Sequence, residues 1–303
     1  MPGFITHYIC AQAVARGLPV GARGAFDRFP GIYNMGAQGP DIFFYYLPGL
    51  IKKRTRGVGV IMHRKKVGLY IQTLIEKCAR AEQGETRDLL FAYTAGYLTH
   101  YALDAAAHPY VYARTAHGAA VKRQVSHRKF ETAIDVLMLK LSSGEKPADY
   151  KLWQLIHSDA RHTYAAASAV SAAVNATYAR EVKTKDVYKA MTHMIQLTRV
   201  LQSKNGRRKK MMELTENLLI GENVVSSIIH AQEIKDGTDY LNMEKTVWNP
   251  EKNDSFLELY GEAVTKASGM ILMLYRYLSG DVNKEELAST IGSRSLANGA
   301  ETD

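Results

Sequence analysis

HYALDAAAHPY, residues 100–110, sets three ligand-type side chains four residues apart: His100, Asp104 and His108. An α-helix turns about 100° per residue, so positions i and i+4 differ by about 40° and share one stripe. Continued backwards, the stripe reads Ala92, Gly96, His100, Asp104, His108. The small residues at 92 and 96 predict that another segment approaches this helix closely. A lone His–Asp pair at this spacing is an ordinary helical ion pair. The three together are harder to treat as incidental, because burying them without a cation or hydrogen-bonding partners is costly.

Working outward, the next helical pattern opens SHRKFETAID, where His127 and Glu131 form a second i,i+4 pair of the same chemical type. His7 lies in a first helical segment, ITHYI. Asp41 follows the turn Gly39-Pro40, and His63 follows VGV in IMHRKK. His7, Asp41, His63, His100, Asp104, His108, His127 and Glu131 are therefore the candidate metal ligands. Imidazole with carboxylate suits zinc, with iron or manganese left open by ligand softness alone. Asp135 continues the His127–Glu131 stripe and is read as a carboxylate behind the ligands or on the surface. His117, His157, His162, His193 and His230 are read as ordinary solvated or satisfied side chains.

Helical periodicity runs through the chain, and neither a strand pattern nor an internal repeat is found. Helices are expected over 5–16, 60–82, 87–108 (capped by Thr86 and closed by Pro109), 127–142 (capped by Ser126 and ended by Gly144), one or two within 148–180, then 184–203, 211–235 and 254–279. Ile134, Met138 and Leu141 would give the 127–142 helix its apolar stripe. Gly, Pro and Asn make 17–40 a loop, with a short segment near 41–52. The fold class is all-α, a compact multi-helix domain over 1–291 with its metal core in 4–140 and a helical remainder to 280. Residues 292–303, small and polar, are expected to be a flexible tail.

With 303 residues, 46% of them hydrophobic, the chain can bury a large core. A net charge of +9 favours phosphate-bearing partners without choosing among membranes, nucleic acid and small phosphoesters. Two cysteines, Cys10 and Cys78, do not make a disulfide framework and are read as buried thiols. The N-terminus lacks the pattern of a signal peptide, and no apolar run approaches the roughly 20 residues needed to span a bilayer. A cytoplasmic location is the expectation.

Taken in order, ITHYI, GPDIFFY, MH, AGYLTHYALDAAAHPY and SHRKFETAID resemble the zinc-dependent phospholipase C family, over roughly residues 4–140. The catalytic domain of glycosylphosphatidylinositol-specific phospholipase D is similar in spacing. Bacterial phosphatidylcholine-hydrolysing phospholipase C and the fungal single-strand nucleases share the ligand order, with a longer last gap in the middle motif. The resemblance implies an all-α domain of the phospholipase C and zinc nuclease type holding up to three Zn²⁺. It implies that Asp41, His63 and His100 hold one ion, and that Asp104 bridges it to a second bound by His7. His108, His127 and Glu131 would hold the third. It further implies a phosphoester hydrolase in which a metal-bound hydroxide attacks phosphorus, with Asp41 also a general base. Secreted relatives use their mature N-terminal amine as a ligand; here either the Pro2 amine, after loss of Met1, completes the second site, or that site is weaker or filled by water.

For substrate contact, FFYYLPG followed by KKRTR (residues 43–56) suits a peripheral membrane surface. The reading in which Phe43, Phe44 and Tyr46 pack into the core is preferred. Tyr45, Tyr110 and Tyr112 are candidates to line a head-group pocket. KNGRRKK, 204–210, is read as an exposed connection rather than a phosphate-backbone site. The leading function is a phospholipase C-like phosphodiesterase on phospholipid or a small phosphoester. The alternatives are a nuclease or nucleotidase on the same metal core, for which no base-stacking pocket is found, and a non-catalytic helical zinc-binding protein.

Overall fold

The computed structural model describes residues 3–46, 54–117, 119–202, 207–219 and 226–302. In chain order its helices are α1 (Phe4–Gly17), α2 (Val20–Arg28), α3 (Pro30–Gly36), a 3-10 turn over Gly39–Phe44, α4 (Arg54–Met62), α5 (Val67–Arg80), α6 (Glu85–Thr115), α7 (Ala120–Ser143), α8 (Leu152–Leu155), α9 (Ala160–Tyr178) and α10 (Thr184–Leu201). They continue with α11 (Arg207–Leu219), a 3-10 turn at Ser226–Ile228, α12 (Thr238–Leu241), α13 (Phe256–Ser279) and α14 (Lys284–Ile291). The fold is all-α, and among the described residues there is no strand, only isolated bridges.

Helix α6 is the axis of the molecule. Leu89 to Asp104 is an unbroken run of buried residues, with no polar face to turn outward. A helix buried on all sides must be surrounded, and α6 is packed most extensively by α3 and α13, with α1, α5 and α7 completing the wrap. Gly96 is where α3 comes closest: a Cβ there would lie 2.0 Å from the Tyr33 carbonyl oxygen, and one on Gly36 would lie 2.2 Å from the Tyr93 carbonyl oxygen. The expected close approach is made by this glycine pair.

Several expected boundaries move, for identifiable reasons. Residues 17–40 are not loop. Pro19 and Pro30 stand at helix starts, where a missing N–H costs little, and Phe26, Ile32 and Tyr33 are driven into the core. The helix expected over 60–82 is broken at 63–66, with Lys66 left-handed at φ 51°. Pro109 does not close α6, which runs on to Thr115 and begins after Gly84 (φ 102°), not at a Thr86 cap. Ser126 is interior to α7, while Gly144 (φ 74°) does end it. Ile134 and Met138 are buried on α7, but Leu141 is exposed. The helix expected over 211–235 stops at Leu219 in the described part, and residues after Ile228 are irregular.

The C-terminal segment is the largest departure. Residues 292–302 fold back on α5 and α6, with Leu296 fully buried and Ser295 nearly so. Cys10 and Cys78 are buried free thiols, and burial pushes both up to about 12. No described helix is long and apolar enough to cross a membrane.

Candidate metal centre

The eight candidate side chains come from five segments and meet at one end of the α6 bundle. α6 delivers His100, Asp104 and His108, all buried. α1 brings His7, the 3-10 turn brings Asp41, and His63 follows the end of α4. From α7 come His127 and Glu131. Asp104 is the hub. Its oxygens lie 3.2 Å from His7 Nε2, 3.1 Å from His100 Nε2, 3.8 Å from His63 Nε2 and 3.6 Å from His108 Nδ1. Asp41 Oδ1 is 3.3 Å from His63 Nε2. At the outer end, Glu131 Oε1 is 2.8 Å from His127 Nε2 and 3.8 Å from His108 Nε2.

Three sets of ligand atoms converge closely enough to share a cation: His7, Asp41 and His100; His63, His100 and Asp104; and His108, His127 and Glu131. The last is the trio implied for a third ion. The other two overlap at His100, so that imidazole stands between them.

The ring hydrogen bonds aim most of these histidines. His63 Nδ1 is 2.6 Å from the Gly59 carbonyl, and His100 Nδ1 is 3.1 Å from the Ala37 carbonyl. His108 Nδ1 meets the Leu296 carbonyl. A carbonyl only accepts, so each Nδ1 carries the proton and each Nε2 presents a lone pair inward. His127 follows the same logic. Its Nδ1 is 3.2 Å from Thr115 Oγ1, whose own proton is donated to the Val111 carbonyl. Orientation of this kind is typical of histidines that ligate metals.

These residues fit a zinc cluster on one observation in particular. His7 Nδ1 and Nε2, Asp41 Oδ1, His100 Nε2 and both Asp104 oxygens are buried and lack a hydrogen-bond partner. Buried polar atoms are ordinarily satisfied, and here they point at one another, which a shared cation reconciles. Burial, then the neighbouring His100, holds His7 below the usual imidazole range. Burial also holds His108 well below it and pushes His127 down to about 2. Neutral imidazoles are the form that binds metal. Burial opposes charge on His100 and Asp104 too, but the facing groups outweigh it: Asp104 raises His100, and His108, His100 and His7 together hold Asp104 well below the usual carboxylate range.

The backbone around the cluster leaves no slack. Gly39 has φ 52°, and a Cβ there would fall 2.3 Å from the His100 ring. α1 is anchored by Asp135, which is fully buried on α7 and accepts from the Ile5 and Thr6 N–H groups at 3.0 and 2.8 Å and from the Thr6 hydroxyl at 2.6 Å. Asp135 thus caps the helix that carries His7. The sequence placed it behind the ligands or on the surface without seeing this contact; its i+4 spacing from Glu131 was the available signal. His230, read as ordinary, lies 2.7 Å from Asp135 and is part of the same anchor.

Among the aromatics, Phe43 and Tyr46 are buried as preferred, Phe44 is half-buried over His63, and Tyr45 packs against the core. Tyr110 is not a pocket residue: it is fully buried, and its hydroxyl meets the Asp239 and Tyr240 carbonyls. Tyr112 is exposed, its ring 4.7 Å from that of His127. Pro2 and residues 47–53 lie outside the described residues, as do the side chains of 54–56, so the amine ligand and the KKRTR surface are not placed. Of KNGRRKK, residues 207–210 begin α11, and Lys209 donates to the Ile229 carbonyl.

A family model described as zinc-dependent phospholipase C matches residues 6–198. Searches of curated proteins and of solved structures found no match. The matched span holds all eight candidate side chains and more than half of the chain. The helical architecture agrees with it, and the chain belongs to the zinc-dependent phospholipase C family.

Proposed function

We propose that the eight side chains hold up to three zinc ions and that the protein hydrolyses phosphoesters, with phospholipids as the leading substrate class. The family supports a zinc-dependent phosphoesterase role in general terms. The observation that carries the specific reading is Asp104: a fully buried carboxylate whose two oxygens lack hydrogen-bond partners while imidazole nitrogens from three segments surround it. Zinc, when bound, supplies Lewis acidity toward a phosphoryl oxygen and acidifies a water molecule.

The chain's own contribution is position and proton handling. Four histidines are held by their Nδ1 hydrogen bonds with Nε2 facing inward, so little reorganisation is needed on loading. Asp41, on a rigid turn beside His63, is proposed both as ligand and as acceptor of the proton released when water attacks phosphorus. The phosphoester would enter at the outer end, where His127 and Glu131 are least buried and Tyr112 forms a rim. The chain's net positive charge favours an anionic substrate there.

The test is zinc content of the purified protein, followed by assays on phosphatidylcholine, a phosphomonoester and single-stranded DNA with and without chelator. Zinc-dependent release of a phosphorylated head group, lost on chelation and restored by zinc, supports the proposal. Turnover of DNA alone would move the assignment to a nuclease, and protein that never retains zinc would overturn it. Asp41→Asn should keep metal and lose turnover; full activity in that variant would remove Asp41 as the proton acceptor.

A further inference from the structure

We propose that the C-terminal segment 292–302 is a positioning element of the zinc cluster, orienting His108 through the Leu296 carbonyl and bracing His63 through Ser295. The proposal rests on the ligand assignment made above. The segment lies far beyond the span matched by the family model, so the family match does not account for it.

Its contacts converge on the metal-facing helix. The Leu296 carbonyl receives His108 Nδ1–H, which leaves Nε2 directed to Glu131. Ser295 Oγ donates to the His63 main-chain carbonyl at 3.1 Å. The segment is clamped at its start by Tyr101, one position after His100. The Tyr101 hydroxyl donates to the Ile291 carbonyl at 3.0 Å and accepts from the Arg294 N–H at 2.9 Å. Ser293 Oγ accepts from the Gly68 N–H at 3.0 Å, tying the segment to α5.

Two features show that the segment is shaped for this place. It closes on itself through Ser295 N–H to the Ala300 carbonyl, Gly299 N–H to the Ser295 carbonyl and Thr302 N–H to the Ser293 carbonyl. It also lies over the point where Pro109 interrupts the hydrogen-bond ladder of α6. Proline cannot donate to the carbonyl four residues earlier, that of Ala105. Gly299, at φ 68°, sits so close that a Cβ would fall 2.7 Å from the Ala105 oxygen and 3.3 Å from the Pro109 ring. The proline that a sequence reading takes as the end of the helix marks the surface on which this segment docks.

A carbonyl that fixes a ligand histidine is coupled to the metal by linkage. If docking of 292–302 raises zinc affinity at the His108, His127 and Glu131 set, zinc there stabilises docking by the same factor. Both directions are measurable on the full chain. Hydrogen exchange of the Ser295, Gly299 and Thr302 amides should slow when zinc is added. Gly299→Val, which drives a side chain into the Ala105 carbonyl, and Tyr101→Phe, which removes the clamp but keeps the ring, should each weaken the last-loaded zinc by about 10–100-fold in chelator competition. Neither residue belongs to the ligand set, and Tyr101→Phe keeps the packing if Gly299→Val fails to fold. A merely structural segment would lower the melting temperature while leaving zinc affinity and the zinc response of exchange unchanged, and that result overturns the proposal. A wild-type chain that binds no zinc would instead overturn the ligand assignment itself, and the positioning role with it.

Discussion

The two ends of the candidate metal centre are built differently. Around Asp104 the candidate ligands are buried and fixed by backbone packing: Gly96 against Tyr33, Gly39 against His100, and Asp135 on the first turn of α1. At the outer end, His127 and Glu131 are less buried, and hydrogen bonds donated by His127 to Thr115 Oγ1 and by His108 to the Leu296 carbonyl do the orienting. The difference separates two requirements. The inner end must offset the cost of burying charge and imidazole together, which calls for rigid surroundings and a cation. On the proposed function, the outer end must remain reachable by substrate, and its geometry is kept by polar contacts that can adjust.

The largest effect should come from the hub. Asp104→Asn keeps the shape and removes the charge that every inner histidine faces, so turnover should fall by roughly 10³-fold and zinc content should drop. A variant that keeps both would erase the distinction between the two ends. Gly39→Ala tests the packing around the cluster without replacing a ligand. Its Cβ collides with the His100 ring in a left-handed backbone, and we expect a loss of about 1–3 kcal/mol in denaturant unfolding together with weaker zinc binding. His127→Ala should sharpen the contrast: the outer ion is lost while the inner ions stay, with little change in melting temperature, read by metal analysis and calorimetry.

The smallest effect serves as a control away from both ends. A hydrogen bond from Lys245, helped by the Ser255 N–H, holds Glu258 down to about 2, below its ordinary 4.5. Its folded value is depressed, so the unfolded chain takes up the proton at higher pH. The contribution is therefore complete above pH 4.5 and fades as pH falls toward 2. Glu258→Gln should flatten acid unfolding within that window and leave zinc content at neutral pH unchanged. A change in zinc content would mean that the α13 cap reaches the metal centre.

Local chemistry carried much of this in the sequence. The i,i+4 stripe through His100, Asp104 and His108 needs only helix geometry, and Gly96 on that stripe announced a close neighbour. The capping box of Ser255 and Glu258, and Gly144 past the end of α7, are equally local. What misled were local signals overruled at a distance. Pro109 stops a helix by itself but not one clasped on all sides, and the glycines and prolines of 17–40 were outweighed by burial of Phe26, Ile32 and Tyr33. The small polar residues of 292–302 gave no sign of docking, because the contact that matters most is made by a main-chain carbonyl, which every residue possesses.

By itself, then, the sequence determined the helical class and the identity of the ligand-type residues, since both follow from side-chain type and a period of 3.6. Tertiary structure decided which of those residues meet, that His100 stands between two candidate ligand sets, that Asp135 and His230 anchor α1, and that residues 292–302 close behind His108. Those outcomes depend on groups 188 and even 232 residues apart, and no local pattern encodes a contact whose partners are chosen by the packing of the whole core.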